Sequence, residues 1–93
     1  MSDIMQLNEI NNLLNGISGD RSVPKNIRTA VDLARKDLND NKNDWSVRIN
    51  GAISILDDIS NDPNIPIYTR THIWNIVSML EVLNQHISSA NAF

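Results

Sequence analysis

The sequence predicts an all-α protein, an antiparallel up-and-down four-helix bundle. Apolar residues recur every three or four positions through four segments, and no segment alternates with the period of a strand. Three polar or proline-containing breaks of about five or six residues separate the segments. Because the chain has only 93 residues, enough for one small core, we expect residues 1–93 to form a single four-helix domain.

Each predicted helix carries one apolar stripe. The first two are predicted over residues 3–17 and 23–39, with the stripes Ile4, Leu7, Ile10, Leu14, Ile17 and Ile27, Ala30, Val31, Ala34, Leu38. The last two are predicted over residues 45–60 and 66–88, with the stripes Trp45, Ile49, Ala52, Ile53, Leu56, Ile59 and Ile73, Ile76, Val77, Leu80, Leu83, Ile87. Connections this short make consecutive helices antiparallel neighbours.

Turn-forming residues mark the ends of these helices. Gly16 or Gly19 is expected to end the first helix in the left-handed conformation that glycine adopts easily. Asp44 is the expected N-cap of the third helix. Ser22 and Asn64 are N-cap types that precede Pro24 and Pro66 by two residues.

An internal repeat relates the two halves of the chain. With a shift of 42 residues, Leu14, Ile17, Ser18, Asp20, Pro24, Arg28 and Thr29 fall on Leu56, Ile59, Ser60, Asp62, Pro66, Arg70 and Thr71. Chance similarity between amphipathic helices is the alternative, but the shared loop is not periodic. The sequence therefore predicts two repeated helical hairpins about a pseudo-two-fold axis.

The repeated loop contains the candidate polar patch. The first and third loops of an up-and-down bundle lie at one end, so Asp20, Arg28, Asp62 and Arg70 are expected to gather there. In one interpretation each arginine ties down its own loop by pairing with the aspartate. In the other, the four groups form a recognition patch for an anion or for a partner's backbone.

Composition and motifs argue against catalysis and cofactors. The chain has no cysteine, a net charge of −3 and no motif for nucleotide, zinc or serine-hydrolase chemistry. His72 and His86 are fourteen residues apart on one helix, too far to ligate the same ion within one chain. We expect no enzyme activity, no catalytic residue, no metal and no cofactor. With no signal peptide or membrane-spanning run, a cytoplasmic location is expected.

The fourth helix has an unusually wide apolar arc. Trp74 and Val82 lie well off the core stripe, which makes them the candidate interface for a partner or a second copy. The alternative is that Trp74 is buried, covered by the third helix or by the C-terminal tail. Gly51, in the middle of the third helix, is expected to mark a close approach between helices.

Five of the eight lysines and arginines cluster around the second helix: Arg21, Lys25, Arg28, Arg35 and Lys36. Arg28, Arg35 and Lys36 are interleaved with acidic residues, and Asp32 stands four residues after Arg28, the spacing of a helix-surface pair. A solvated face is the favoured interpretation. Nucleic acid is not expected as a partner, because the overall charge is acidic.

One family resemblance covers nearly the whole chain. The segments Asp20-Arg-Ser-Val-Pro-Lys-Asn-Ile-Arg28, Asn61-Asp-Pro-Asn-Ile-Pro66 and Arg70-Thr-His-Ile-Trp-Asn75 resemble an archaeal family of short helical proteins catalogued only as uncharacterised. The resemblance implies a cytoplasmic protein with a four-helix fold and implies no activity. The 14 asparagines and two glutamates of this chain depart from the charge-rich relatives expected in hot habitats.

The function expected from the sequence is that of a non-catalytic cytoplasmic module for protein interaction or oligomerisation, with a homodimer through the fourth helix as one form. The partner is an unknown protein or a second copy. The alternative is an accessory factor associated with RNA or the ribosome through the arginine-bearing second helix.

Overall fold

The computed structural model describes residues 3–90, with side chains through residue 87. It contains four helices: α1 (Asp3–Ser18), α2 (Lys25–Leu38), α3 (Trp45–Ser60) and α4 (Ile67–Ala90). No strand occurs within these residues. The predicted bounds of α1 and α3 differ from the observed ones by at most one residue, whereas α2 begins two residues later than predicted. The chain is therefore all-α, as the spacing of its apolar residues indicates.

The helices form a square, with each one packed against two neighbours. The pairs in contact are α1 with α2, α2 with α3, α3 with α4 and α4 with α1, and the diagonal pairs do not touch. Contacts between α1 and α4 show their antiparallel directions, because Asp3 at the start of α1 lies 3.5 Å from His86 near the end of α4. The bundle measures 44 × 25 × 20 Å.

One hydrophobic core runs along the bundle axis. The eleven largest fully buried side chains come from all four helices: Ile10, Leu14, Ile27, Val31, Leu38, Ile49, Leu56, Ile73, Ile76, Leu80 and Leu83. Val23 and Ile65, the apolar residues of the proline-containing loops, are buried as well and close one end of the core. Since burying one such side chain contributes about 1.5–3 kcal/mol, this core supplies most of the driving force for folding.

The 42-residue relation extends beyond the sequence match. Both ends of α3 follow those of α1 by 42 residues, and the first residue of α4 follows that of α2 by the same number. Buried positions correspond as well, as in the pairs Leu14 with Leu56 and Leu38 with Leu80. One equivalent buried pair differs in polarity, Ile27 in α2 and Thr69 in α4. Descent from a duplicated hairpin remains a prediction.

Asp44 occupies the N-cap position of α3 as expected, but the other expected helix caps are wrong. Pro24 and Asp44 occupy the N-cap positions of α2 and α3, and neither helix receives a side-chain capping bond there. No glycine among the described residues has positive φ. The main-chain N–H groups of Gly19 and Asp20 donate to the carbonyl oxygens of Asn15 and Ile17, so α1 ends in a tightened right-handed turn that needs no left-handed residue.

Gly51 does lie at a close approach between α2 and α3. A Cβ atom added there would stand 2.9 Å from Oδ2 of Asp37 on α2. The neighbour is the end of a side chain, so the two backbones are not themselves in contact at this point.

No helix within residues 3–90 is both long and apolar enough to cross a bilayer.

Candidate functional site

The three loops of the bundle share one construction, centred on Asp20, Asp40 and Asp62. In each loop Oδ1 of the aspartate accepts a hydrogen bond from the main-chain N–H two residues later, at 2.9, 3.0 and 2.8 Å. Its own carbonyl oxygen accepts another from the N–H three residues later. These paired bonds define an Asx turn, which fixes the path of the chain between two helices.

An arginine follows each of these aspartates by eight residues. Nε of Arg48 donates to the carbonyl oxygen of Leu38 at 2.9 Å, and Nε of Arg70 donates to that of Ser60 at the same distance. Nε of Arg28 donates to the carbonyl oxygen of Val23 at 3.0 Å. A half-buried guanidinium thus satisfies main-chain acceptors at each loop.

The expected pairing of these arginines with the loop carboxylates is wrong. No ion pair joins Arg28 or Arg70 to Asp20 or Asp62 within the part of the chain that the structure describes. Oδ1 of each aspartate already accepts a hydrogen bond within its own turn. Main-chain carbonyl oxygens are the nearer acceptors for the two arginines. The contacts support the loop-holding role of Arg28 and Arg70 more than the anion-binding role.

Sequence reasoning missed the middle loop. Asp40 and Arg48 have the same eight-residue spacing as Asp20 and Arg28, which is the signal that identifies them. The first two aspartates are 20 residues apart and the last two 22, so no single shift aligns all three loops.

The first and third loops touch each other at one end of the bundle, which we call the proline end. Oη of Tyr68 lies 2.7 Å from Oγ of Ser22, and Nδ2 of Asn26 donates to Oδ2 of Asp62 at 2.9 Å. Asn26 and Tyr68 are themselves 42 residues apart, so they are equivalent positions. Each forms a hydrogen bond with the loop of the other half. Of the four residues predicted for the polar patch, Asp20 and Asp62 lie on these two contacting loops, and Arg28 and Arg70 lie in the first turn of the helix that follows each loop.

A chain of hydroxyl groups ends on Asp20. The Ser22 hydroxyl donates to Oδ1 of Asp20 at 2.7 Å, so the Tyr68 hydroxyl is left to donate to Ser22. The hydrogen bonds from the hydroxyl and main-chain N–H of Ser22 lower the pKa of the Asp20 carboxyl, because both favour its ionised form. Asp20 is therefore a carboxylate at neutral pH.

The pairing expected on α2 between Asp32 and Arg28 is also wrong. Oδ1 of Asp32 accepts from Nη2 of Arg35 at 2.7 Å, and its Oδ2 lies 3.4 Å from Nζ of Lys36. Arg28 is directed to the loop carbonyl instead. The hydrogen bond from Arg35 lowers the pKa of Asp32. Two positive charges of this helix are thus matched by a neighbouring carboxylate.

The outer side of α4 carries exposed apolar residues. Trp74 is 53% exposed and Val82 is 46% exposed. The alternative in which α3 covers Trp74 is therefore wrong, and residues 91–93 of the C-terminal tail lie outside the described residues. Ser78 stands midway between the two on the same side of the helix, because residues four apart are neighbours on a helix surface. We call Trp74, Ser78 and Val82 the α4 face.

Three hollows follow the seam between α1 and α4. The middle one, of about 290 Å³, borders the α4 face and is lined by Gln6, Glu9, Ser78, Met79 and Val82. One of about 260 Å³ lies at the proline end and is lined by Asn12, Leu13, Gly16, Ile17, Asp20, Val23, Tyr68, Thr69 and His72. A third, of about 160 Å³, lies at the opposite end beside Trp45.

The histidines do not form a metal site with their neighbours. Nδ1 of His86 lies 3.5 Å from Oδ1 of Asp3, while His72 is exposed near the proline end. Among the side chains that the structure describes, no three histidine or acidic groups converge to hold a metal ion.

Comparison with known proteins gives a family. Residues 1–83 match the model of the uncharacterised protein family UPF0147. The chain belongs to this family. A UPF0147 protein of Methanothermobacter thermautotrophicus is 47% identical over 78 residues, which cover 84% of this chain and 76% of the relative. Another, from Sulfurisphaera tokodaii, is 49% identical over 71 residues, covering 76% and 80%. The resemblance of the loop segments to an uncharacterised archaeal family is thereby confirmed.

Solved structures share the fold. The crystal structure of the unknown-function protein MMP1188 has a TM-score of 0.83 and 49% identity, covering 86% of this chain and 91% of that one. A UPF0147 protein from Thermoplasma acidophilum also has a TM-score of 0.83, with 36% identity, covering 87% of this chain and 95% of that one. The four-helix fold is thus common to this chain and these two proteins, and none of these comparisons assigns an activity.

Proposed function

We propose that this UPF0147 chain is a non-catalytic cytoplasmic module that associates with a second copy of itself through the α4 face. The observation that carries the proposal is the exposure of Trp74 and Val82, two large apolar side chains on one side of one helix. Tryptophan is the residue type most enriched among those that dominate binding energy at interfaces. An exposed pair of this kind has an unfavourable contact with water that an interface removes.

The charge distribution on α4 supports an interface there. Of the 24 residues of α4, only Arg70 and Glu81 carry a formal charge at neutral pH. The 14 residues of α2 include six such groups: Lys25, Arg28, Asp32, Arg35, Lys36 and Asp37. Depletion of charge is the compositional signature of an interface centre, because desolvating an unpaired charge is costly.

The spacing on α4 suits a two-fold contact between identical chains. In an antiparallel pair of α4 helices with the axis at Ser78, residues equally far from Ser78 in the two copies face each other. Trp74 and Val82 are each four residues from Ser78, so the tryptophan of one copy faces the valine of the other. Glu81 faces Asn75 and Arg70 faces His86, so no two formal charges of like sign meet while the histidine is neutral.

The middle hollow offers a place for the tryptophan. It borders Val82 and is also lined by Gln6, whose Oε1 is buried without a hydrogen-bond partner in the described structure. Because the indole N–H is a donor only, Trp74 of the second copy is a suitable partner for this acceptor. A pocket-filling aromatic residue with a satisfied polar edge is the usual form of an interface anchor.

The test is the mass of the full chain in solution, measured by light scattering for wild type, Trp74→Ser and Leu33→Ser. Leu33 lies on α2 and is also 53% exposed, so it is a matched control for loss of an exposed apolar side chain. We expect wild type and Leu33→Ser at twice the 10.5 kDa chain mass and Trp74→Ser at a single chain mass, with circular dichroism unchanged. A single chain mass for wild type, or no difference between the two variants, contradicts the proposal.

Association with RNA through α2 is the second candidate and has less support. The charges of Arg35 and Lys36 are matched by Asp32, and Arg28 is turned toward a main-chain carbonyl. The discriminating measurement is RNA binding at two salt concentrations, because binding to phosphates weakens steeply as salt is added. Binding that is salt-sensitive and lost in Arg35→Ala supports this candidate over self-association.

A further inference from the structure

The two halves of the chain differ in side-chain polarity at the hollow of the proline end. Thr69, His72 and Gly16 line this hollow, where the 42-residue relation places Ile27, Ala30 and Asp58 in the other half. In α2, the equivalent of Thr69 is a fully buried isoleucine that packs in the core. The polar side chains of Thr69 and His72 are not required by the fold, since the other half of the bundle has the apolar residues Ile27 and Ala30 at the equivalent positions.

Thr69 is the most unusual of these residues. It is 2% exposed, and its Oγ1 has no hydrogen-bond partner among the described residues. A buried hydroxyl without a hydrogen-bond partner lowers the stability of the fold by about 1–3 kcal/mol. An isoleucine, as at the equivalent position, has no polar group and avoids this penalty. Thr69 lines the hollow, but its Oγ1 is itself inaccessible, so a ligand there would supply the missing bond once the side chain rotates about χ1.

The other polar groups around the hollow define the charge it accepts. Asp20 supplies a carboxylate, and its Oδ2 accepts no hydrogen bond from the described residues, since both bonds from Ser22 go to Oδ1. The Tyr68 hydroxyl is held at the rim by Ser22. No lysine or arginine lines the hollow. The site therefore favours a cation over an anion, because an anion in the hollow would find no lysine or arginine lining it, although the charge of Arg28 also acts on the Asp20 carboxyl.

The walls and the volume define the rest of the ligand. Leu13, Ile17 and Val23 give the hollow an apolar side. At about 260 Å³ it is smaller than the pockets of about 300–1,000 Å³ that hold drug-sized ligands. A short alkyl chain with a terminal ammonium group matches both features, because its stem contacts apolar side chains and its head pairs with a carboxylate.

We propose that the hollow at the proline end binds an alkylammonium group, with Asp20 as the counter-ion and Thr69 and Tyr68 as hydrogen-bonding partners. This site goes beyond the proposed self-association and does not depend on it. The same chemistry is presented by a free diamine and by a lysine side chain of another protein, so both sources are tested.

The experiment is an NMR titration of the full chain with 1,4-diaminobutane and, separately, with Nα-acetyl-lysine methylamide. Butyrate and 1-butanol serve as anionic and neutral probes of similar size. We expect saturable shifts of the Tyr68 and His72 resonances with the amines and none with butyrate or butanol. Tighter binding of the diamine assigns the site to a free amine, and tighter binding of the lysine derivative assigns it to a protein side chain. Absence of saturable binding by both amines, or equal binding of butyrate, overturns the proposal.

Two variants connect the binding to the named residues. Asp20→Asn keeps the ability to form the turn but removes the charge, and we expect binding to weaken about tenfold or more. Asp62→Asn is its control, because Asp62 makes the equivalent turn and does not line the hollow. Thr69→Ile introduces the residue of the equivalent position, and we expect it to fold and to lose binding. Equal affinity in Asp20→Asn and Asp62→Asn, or unchanged affinity in Thr69→Ile, contradicts the assignment.

Discussion

At the scale of single residues, main-chain carbonyl oxygens rather than carboxylates anchor the arginines of the loops. Arg28 and Arg70 each donate from Nε to a carbonyl oxygen at 3.0 and 2.9 Å. Both side chains are half-buried, so these bonds are shielded from water more than a surface ion pair is. Each arginine thus contributes to stability through the position of its loop, whichever partner the protein has.

This account predicts that the double variant Arg28→Ala, Arg70→Ala melts at a lower temperature than wild type. Hydrogen bonds from charged donors contribute about 1.5–3 kcal/mol each, and about 1 kcal/mol lowers the melting temperature of a chain this size by roughly 4–8 °C. Arg21→Ala is the control, since Arg21 is exposed in the same loop and its loss should change little. An unchanged melting temperature, with loss of a binding partner, would instead support the recognition role.

The lowered pKa of Asp20 predicts a specific dependence of stability on pH. A carboxyl whose pKa is lower in the folded chain stabilises the fold above its unfolded pKa, and this contribution is lost as pH falls through the folded pKa. Ser22 donates the two bonds that cause the shift. In Ser22→Ala we expect the Asp20 pKa, followed by carboxyl NMR, to rise toward 3.8. The stability difference from wild type should be present at neutral pH and shrink below about pH 4.

The control for this measurement is Ser54→Ala, which removes an exposed hydroxyl from α3. Its Asp20 titration should match that of wild type. An Asp20 pKa that is the same in wild type and Ser22→Ala would show that the hydroxyl chain from Tyr68 does not act on the carboxylate.

At the scale of helices, the two glycines inside helical segments have different surroundings. A Cβ atom at Gly16 in α1 would meet nothing within 4 Å, whereas one at Gly51 in α3 would lie 2.9 Å from Asp37. Alanine in a helix interior is more stable than glycine by about 0.5–1 kcal/mol. We expect Gly16→Ala to gain up to this amount in urea unfolding and Gly51→Ala to gain less, because the Asp37 carboxylate must move. A larger gain for Gly51→Ala would contradict the packing between α2 and α3.

Helix positions follow from the sequence more readily than helix ends do. Only one helical arrangement buries the apolar stripe of α3, which includes Ile49, Ala52 and Leu56. The bounds of α3 can therefore be predicted closely. The capping bonds could not be predicted, because Asp44 stands at the N-cap of α3 without making one and Ser22, a good N-cap type, makes a different bond. Ser22 donates to Asp20, and that choice depends on the three-dimensional path of the loop.

At the scale of the whole molecule, the 42-residue relation is also seen where the proline loops meet, and departures from it mark the candidate sites. Tyr68 and Asn26 are equivalent residues that both cross to the other loop. The hollow beside Thr69 could not be predicted from the sequence, because a buried threonine in a helical stripe resembles any other core position. Its missing hydrogen bond becomes visible only when the surrounding side chains are in place.

The exposure of Trp74 was one of two alternatives left open by the sequence, and the packing of the bundle decides between them. The core stripe of α4 is already filled by residues such as Ile76, Leu80 and Leu83. Trp74 therefore remains outside the core, and self-association through the α4 face is the central claim.

Cross-linking at the proposed two-fold axis tests this claim most directly. The natural chain has no cysteine, so a disulfide in a single-cysteine variant can only join two copies. Ser78→Cys places the thiol on the axis, and Ser54→Cys places it on an exposed position of α3 as the control. Under mild oxidation, we expect Ser78→Cys to migrate as a covalent dimer on non-reducing gels and Ser54→Cys to remain a monomer. A monomeric Ser78→Cys, or equal cross-linking of the two variants, would contradict self-association through the α4 face.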